Sequence, residues 1–157
     1  MPSRREIISL NANEVQSFLE NSKTLMIVSN GLDGYPHIMP MWFYVDNGGF
    51  LYCTTFSKSQ KVLNWRRDSK ASLLVESGEI YSELKAVMIY ANTEIIDDQV
   101  AVCDALVNIS SRGQNLSEVE YNKAMRAAEN NARKRVLLKF CPERYVSWDH
   151  SKLGGTY

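Results

Sequence analysis

The chain has 157 residues, among them 18 basic and 18 acidic side chains and two histidines. That length reads as a single domain over 1–157, long enough to bury a proper core. The cancelling charges leave no global field to gather nucleic acid or an anionic membrane surface, so a small-molecule partner is expected. Met1 is followed by PSRRE and not by an apolar leader, and no apolar run approaches the length of a membrane span. Cys53, Cys103 and Cys141 are far apart, without metal-binding or redox spacing. They read as small buried hydrophobes, and the chain as cytoplasmic, in a reducing compartment.

In chain order, Asn13 with Gln16 resembles a capping box, and Val15, Phe18 and Leu19 follow at helical spacing, so a short N-terminal helix is predicted. TLMIVSN and YPHIMPMWFYV are apolar, β-branched or aromatic runs joined by the turn-forming GLDG, which predicts an antiparallel hairpin. The turn DNGG then leads into FLYCTT, a third strand. TTFSKSQKVLNWRRD follows directly. Val62, Leu63 and Trp65 give it a helical stripe, with Ser57 or Ser59 placed to cap the first turn. KASLLVES and KAVMIYANTEIIDD are a fourth and a fifth strand, with SGEIYSEL an ordered connection between them. QVAVCDALVNI is helical by the spacing of Val100, Cys103, Leu106 and Val107, and Ser117 with Glu120 opens another helix to about Arg133. RVLLKFCPE and RYVSWDH read as two more strands separated at Cys141-Pro142, and the tail SKLGGTY has little local structure. The expected fold is mainly β with peripheral helices: six to seven antiparallel strands in a meander, closed or nearly closed into a barrel, with a β-sandwich as the competing architecture.

The chemistry must lie outside the usual catalytic motifs. His37 and His150 have no second ligand at metal spacing and read as structural. There is no GxSxG elbow and no glycine-rich phosphate loop. The strand-to-helix segment is different, because two lysines, two serines, two threonines and a glutamine cluster at one helix start. Two readings stand open there: a capped surface helix, or a phosphate held by free amides, the helix dipole and Lys61. On the neighbouring run, Pro40 removes a ladder donor, so a planar ligand has backbone groups to use, while the plainer reading, preferred on these residues alone, is that Trp42 and Tyr44 are core or interface aromatics.

The order GYPHIMPMWF, GGFLYCTTFSKSQKVLNWRRDSKASLLVES, YSELKAVMIY and SWDHSKLGGTY resembles the pyridoxamine 5′-phosphate oxidase-like family of flavin-binding split barrels, over roughly residues 10–157. The likeness is strongest to the branch that uses FMN or the deazaflavin coenzyme F420. It implies a split β-barrel, a homodimer with the cofactor in the groove between subunits, and oxidoreductase activity by hydride transfer to or from an unsaturated organic substrate. Non-catalytic binding of a flavin, deazaflavin or haem on the same fold is the alternative. By resemblance, Thr54, Thr55, Ser59, Gln60 and Lys61 match the phosphate-holding segment. Met39, Pro40, Met41 and Trp42 run beside the ring, and Trp148 is the aromatic brought from the partner subunit. His37 stands where pyridoxamine 5′-phosphate oxidase itself opens the strand with arginine, and Trp42 where a substrate lysine is expected. Both departures argue for a larger, more apolar substrate on the surface of Met41, Trp42 and Tyr44.

Overall fold

The protein is described by a computed structural model covering residues 3–112 and 114–155. The strands are β1 Thr24–Asn30, β2 Pro36–Trp42, β3 Tyr44–Val45, β4 Leu51–Phe56, β5 Lys70–Ser77, β6 Lys85–Ile96 and β7 Arg135–Asp149. The helices are α1 Arg4–Ile8, α2 Ala12–Asn21, α3 Gln60–Arg67, α4 Gln99–Ser110 and α5 Glu118–Ala132. The N-terminal helix is capped by Asn11, not Asn13. The Asn11 side chain accepts from the Glu14 amide while Glu14 accepts from the Asn11 amide, a reciprocal box that starts the helix two residues earlier and buries Val15 and Leu19. The expected Ser117 and Glu120 box at α5 forms as read.

All seven strands belong to one antiparallel sheet in the order β2-β1-β5-β6-β7-β4-β3, which excludes the two-sheet sandwich. The meander is also corrected. Chain neighbours pair in the hairpins β1–β2, β3–β4, β5–β6 and β6–β7, but β1 lies against β5 and β4 against β7. The run at 35–45, expected as one strand, is divided at the fully buried Phe43. Its first part forms one edge of the sheet and its second part the other edge. One short segment thereby joins both margins of a curled sheet, and the result is a split barrel.

The stretch around Cys141-Pro142 does not separate two strands. β7 is continuous for 15 residues and carries a bulge, with Tyr90 opposite Arg144 and Ala91 opposite Pro142, leaving Glu143 as the extra residue. Pro142 has no amide to give, and the bulge accommodates it. The extra residue also exchanges the two faces. Val136, Leu138 and Phe140 point into the barrel before the bulge, whereas Tyr145 and Ser147, opposite Ile89 and Val87, do so after it. Trp148 therefore points out.

The barrel interior is filled by Leu25, Ile27, Leu51, Cys53, Leu73, Val75, Val87, Ile89, Val136, Leu138 and Phe140, with Val15 and Leu19 of α2 and Val62 and Trp65 of α3 packed into the same core. The hairpin of α4 and α5 covers a second cluster on the outside, around Val102, Ala105, Val107, Ala128, Ala132 and Leu137. The rest of the outer face is not covered in this way. Strand register places Pro40, Met26, Leu74, Met88 and Val146 in one row across five strands, all half-buried or exposed and in neither packed cluster. After β7 the tail is more ordered than expected as far as the described residues go. It makes a 3-10 turn at His150–Leu153, with Lys152 paired to Glu14 at 2.7 Å, while residues 156–157 lie outside the described residues.

Candidate functional site at the start of helix α3

β4 ends at Phe56, and the chain turns there because the Ser57 amide donates to the Lys134 carbonyl (2.9 Å) and the Ser59 amide to the Phe56 carbonyl (3.0 Å). Ser59 occupies the cap position, and its carbonyl accepts from the amides of Val62 and Leu63 at 3.0 and 3.3 Å. The capping expected of a serine hydroxyl does not occur: the Ser59 side chain makes no cap bond and lies instead 3.4 Å from the Thr55 hydroxyl. The amides of Gln60 and Lys61 consequently have no acceptor among the described residues. They sit at the positive end of the helix dipole.

Lys61 is more deeply placed than a surface helix predicts, with only 8% of its surface exposed. It has no ion pair and no hydrogen bond among the described residues. Burial lowers its pKa, the nearby Cys53 thiol acts in the opposite sense and the Arg135 charge adds to the lowering. None of these neighbours is a carboxylate. A buried cation without a counter-ion, beside two free amides, is the electrostatic pattern of an anion site.

The structure brings Thr55, Ser59, Gln60 and Lys61 together here. Thr55 is buried on the inner face opposite Val136, while Thr54, also buried, is opposite Leu137 and faces the α4–α5 layer. The Gln60 side chain donates to Asn64 Oδ1 (3.0 Å), and Asn64, itself buried, donates to Ser29 Oγ (3.0 Å). Gln60 and Asn64 line a cavity of about 450 Å³ with His37 and the β1–β2 turn. His37 Nδ1 is buried in that region without a hydrogen-bond partner.

β2 runs away from this point along the sheet margin. Met39 and Met41 are opposite Ile27 and Leu25 on the inner face, and Pro40 and Trp42 are opposite Met26 and Thr24 on the outer face, with Trp42 70% exposed. Tyr44 does not share that surface. It belongs to β3 and stacks on Tyr52 at 4.7 Å, beneath the α4–α5 layer. Burial raises the pKa of both phenols, and Tyr52 donates to Asp46 (2.9 Å). Trp148 is half-buried on the outer face opposite Ala86, at the far end of β7 from the α3 site, roughly 40 Å along the strand at about 3.3 Å per residue. Within one chain it does not join Lys61.

His150 is structural as read, its Nδ1 2.9 Å from the Tyr81 carbonyl and its ring against that of Tyr81. Cys53 and Cys103 are buried, but Cys141 is only half-buried and donates to Glu94 (3.4 Å). Sequence reading missed Arg135, Asn64 and Ser29 beside the site. A hint existed for Arg135, a cation opening a readable strand, but its neighbours depend on pairing that the sequence does not display. Among the described residues no cluster of three or more histidines, cysteines and carboxylates is placed to hold a metal, and no helix is long and apolar enough to cross a membrane.

With this geometry in view, the comparisons with known proteins are specific about family. The pyridoxamine 5′-phosphate oxidase profile matches residues 12–149, and the chain belongs to that family. The conserved hypothetical protein Rv2991 from Mycobacterium tuberculosis is 30% identical with a TM-score of 0.87, over 99% of this chain and 95% of that one. A structure described as an F420 reductase is 21% identical, with a TM-score of 0.59 over 92% of this chain and 98% of that one. HutZ, the heme storage protein from Vibrio cholerae, is 14% identical, with a TM-score of 0.63 over 89% and 97%. At these last two identities the likeness is one of fold. No curated protein sequence matches the chain.

Proposed function

We propose that the protein is a homodimeric oxidoreductase that binds FMN or the deazaflavin coenzyme F420 and passes a hydride between it and an unsaturated organic molecule. The observation that carries this reading is Lys61, a buried, unpaired cation at an open helix N-terminus, in a chain of the pyridoxamine 5′-phosphate oxidase family. Lys61 would hold the cofactor phosphate by charge. The Gln60 and Lys61 amides and the hydroxyls of Thr55 and Ser59 would donate to its oxygens. β2 is an edge strand, so one row of its backbone groups has no ladder partner, and the stretch Met39 to Trp42 offers those groups to a planar ring. The cofactor, when bound, supplies the hydride chemistry; the chain supplies position and a surface that excludes water. The exposed Trp42 and the methionines of β2 suit an apolar substrate, and no lysine stands on β2 to grip a second phosphate.

The dimer is supported by the outer row Pro40, Met26, Leu74, Met88 and Val146, which a symmetric partner would cover. Trp148 lies on that same face, which favours a role at the partner's cofactor and not at its own. Two experiments in sequence test the proposal. Protein purified from a host that makes both coenzymes is extracted, and the bound molecule is identified by mass spectrometry. The reduced holoprotein is then mixed with a panel of α,β-unsaturated carbonyl compounds while the cofactor absorbance is followed. Bound FMN or F420 that is reoxidised by a member of the panel, without oxygen, is the expected result. A folded protein that binds neither coenzyme overturns the reading, and tight binding with no reoxidation leaves a carrier or storage role.

A further inference from the structure

Two cations belong to the first turn of α3 and to the strand end beside the turn that leads into it, and only one of them belongs to the segment that the family resemblance singles out. Arg135 opens β7 directly opposite Phe56, the last residue of β4, and the adjoining Ser57 amide is bonded to the Lys134 carbonyl. The strand end that carries Arg135 is thus tied to the turn that leads into α3. Its guanidinium lies over the Phe56 ring, 4.5 Å from the centroid. Stacking of this kind orients the guanidinium plane and leaves its N–H edge available. Arg135 Nε is buried without an acceptor, and the side chain has no hydrogen bond or ion pair among the described residues. Its charge acts on Lys61 and makes that residue harder to keep protonated. Two like charges that act on each other, one of them 8% exposed and both unpaired among the described residues, destabilise the folded chain unless an anion joins them.

We propose that Arg135 is a second anchor for the anion at the α3 N-terminus, and that the site is matched to a doubly charged phosphate monoester, the end group of FMN, in preference to the singly charged phosphate diester of the deazaflavin coenzyme. This rests on the flavin reading above and narrows it. A phosphate monoester carries about −1.5 to −2 charge at pH 7, with a second pKa of about 6, and offers three terminal oxygens. Lys61 and Arg135 together match that charge, and the guanidinium fork spans two oxygens while the helix amides take the third. A diester has one charge and two free oxygens, so one cation stays uncompensated.

The test is a fluorescence titration of the cofactor-free protein with FMN, with riboflavin, which lacks the phosphate, and with F420. It is carried out on the parent, Arg135→Gln and Arg135→Lys, each checked for folding by circular dichroism. The parent is expected to bind FMN more tightly than riboflavin or F420. Arg135→Gln is expected to lose about tenfold or more in FMN affinity while riboflavin affinity is unchanged, and Arg135→Lys, which keeps the charge without the fork, to fall between. The parent's preference for FMN over riboflavin should shrink as the pH falls through about 6, where the monoester takes up its second proton. This last measurement needs no variant and tests the monoester preference, while Arg135→Lys keeps the role of Arg135 open to refutation even if Arg135→Gln fails to fold. The assignment is overturned by FMN affinity that is unchanged in Arg135→Gln, by equal losses for FMN and riboflavin, by tighter parent binding of F420, or by a flat pH profile. In each of those cases the flavin reading survives. A folded parent that binds none of the three molecules overturns both.

Discussion

Lys61 carries a charge where the fold alone would prefer none, and this separates its effect on stability from its effect on binding. Burial puts its folded pKa below the ordinary lysine value. The folded state therefore holds that proton less firmly than the unfolded state. The penalty is fully present below the lowered pKa and is relieved as the pH rises through it toward the unfolded value of about 10.4. Lys61→Met keeps the stem and deletes the charge, so the cofactor-free variant should melt at a higher temperature than the parent at pH 7. The same variant should lose about tenfold or more in cofactor affinity, a charge-assisted contact being worth roughly 1.5–3 kcal/mol. Calorimetry with and without cofactor checks both signs; a melting temperature that drops without cofactor would mean that Lys61 is a packing residue. Asp149 behaves in the opposite sense. Burial would raise its pKa, but bonds from Ser151 and the ion pair with Lys85 at 3.3 Å outweigh that and lower it. Its contribution is full above the ordinary carboxylate range and is lost as the pH falls below about 4, so Asp149→Asn should flatten the acid limb of the stability profile. At this scale the sequence was readable where groups are neighbours in the chain. Thr55, Ser59, Gln60 and Lys61 stand within one strand-to-helix junction, and their convergence follows from local geometry. Asn64, one helical turn after Gln60, is local in the same way, whereas Arg135 reaches the region through strand pairing and Ser29 through a buried bond from Asn64, and neither of these two appears in any local pattern.

At the level of elements, the readable features were those set by period and turn chemistry, and the unreadable ones were those set by closure. The hairpins at GLDG and DNGG, the α3 helix and the Ser117 cap all form, although of the stripe Val62, Leu63 and Trp65 only Val62 and Trp65 are buried and Leu63 is exposed. The run at 35–45 shows no break in its apolar character, yet at Phe43 it passes from one sheet margin to the other, because only a curled sheet requires one segment to serve both edges. Phe43 has no exposed surface, and the Arg112 guanidinium lies over its ring at 4.6 Å. Phe43→Ala should cost about 3–5 kcal/mol in chemical denaturation, whereas the exposed neighbour Trp42→Ala should cost little. Equal losses at the two positions would mean that the crossing is not where the barrel is held shut. The bulge at Glu143 has a comparable reach. Strict alternation along β7 would put Trp148 on the face of Phe140 and in the core; the bulge breaks the alternation, and Trp148 points outward. Pro142 announces an interruption in the sequence, but whether it ends the strand or only kinks it depends on β6, which pairs on both sides of the bulge.

At the scale of the whole molecule, an apolar row of five side chains on the outer sheet face has no cover among the described residues, while the α4–α5 hairpin closes only the other part of that face. In the proposed dimer a second copy covers this row, and Trp148 lies on the same face. Met88 sits within the row, between Leu74 and Val146. Met88→Lys should give a folded monomer by light scattering with greatly weakened cofactor binding, since a buried unpaired charge at the centre of a symmetric interface is met twice. Trp148→Ala should weaken binding without that dissociation. The measurement that bears most directly on the central claim is native mass spectrometry of the purified parent after incubation with FMN. The expected species is a dimer that carries two FMN molecules, with occupancy lowered in Lys61→Met at the same FMN concentration. A parent chain that remains folded yet takes up neither FMN nor, in a parallel incubation, F420, or a monomer that holds the cofactor as tightly as any dimer present, would contradict it.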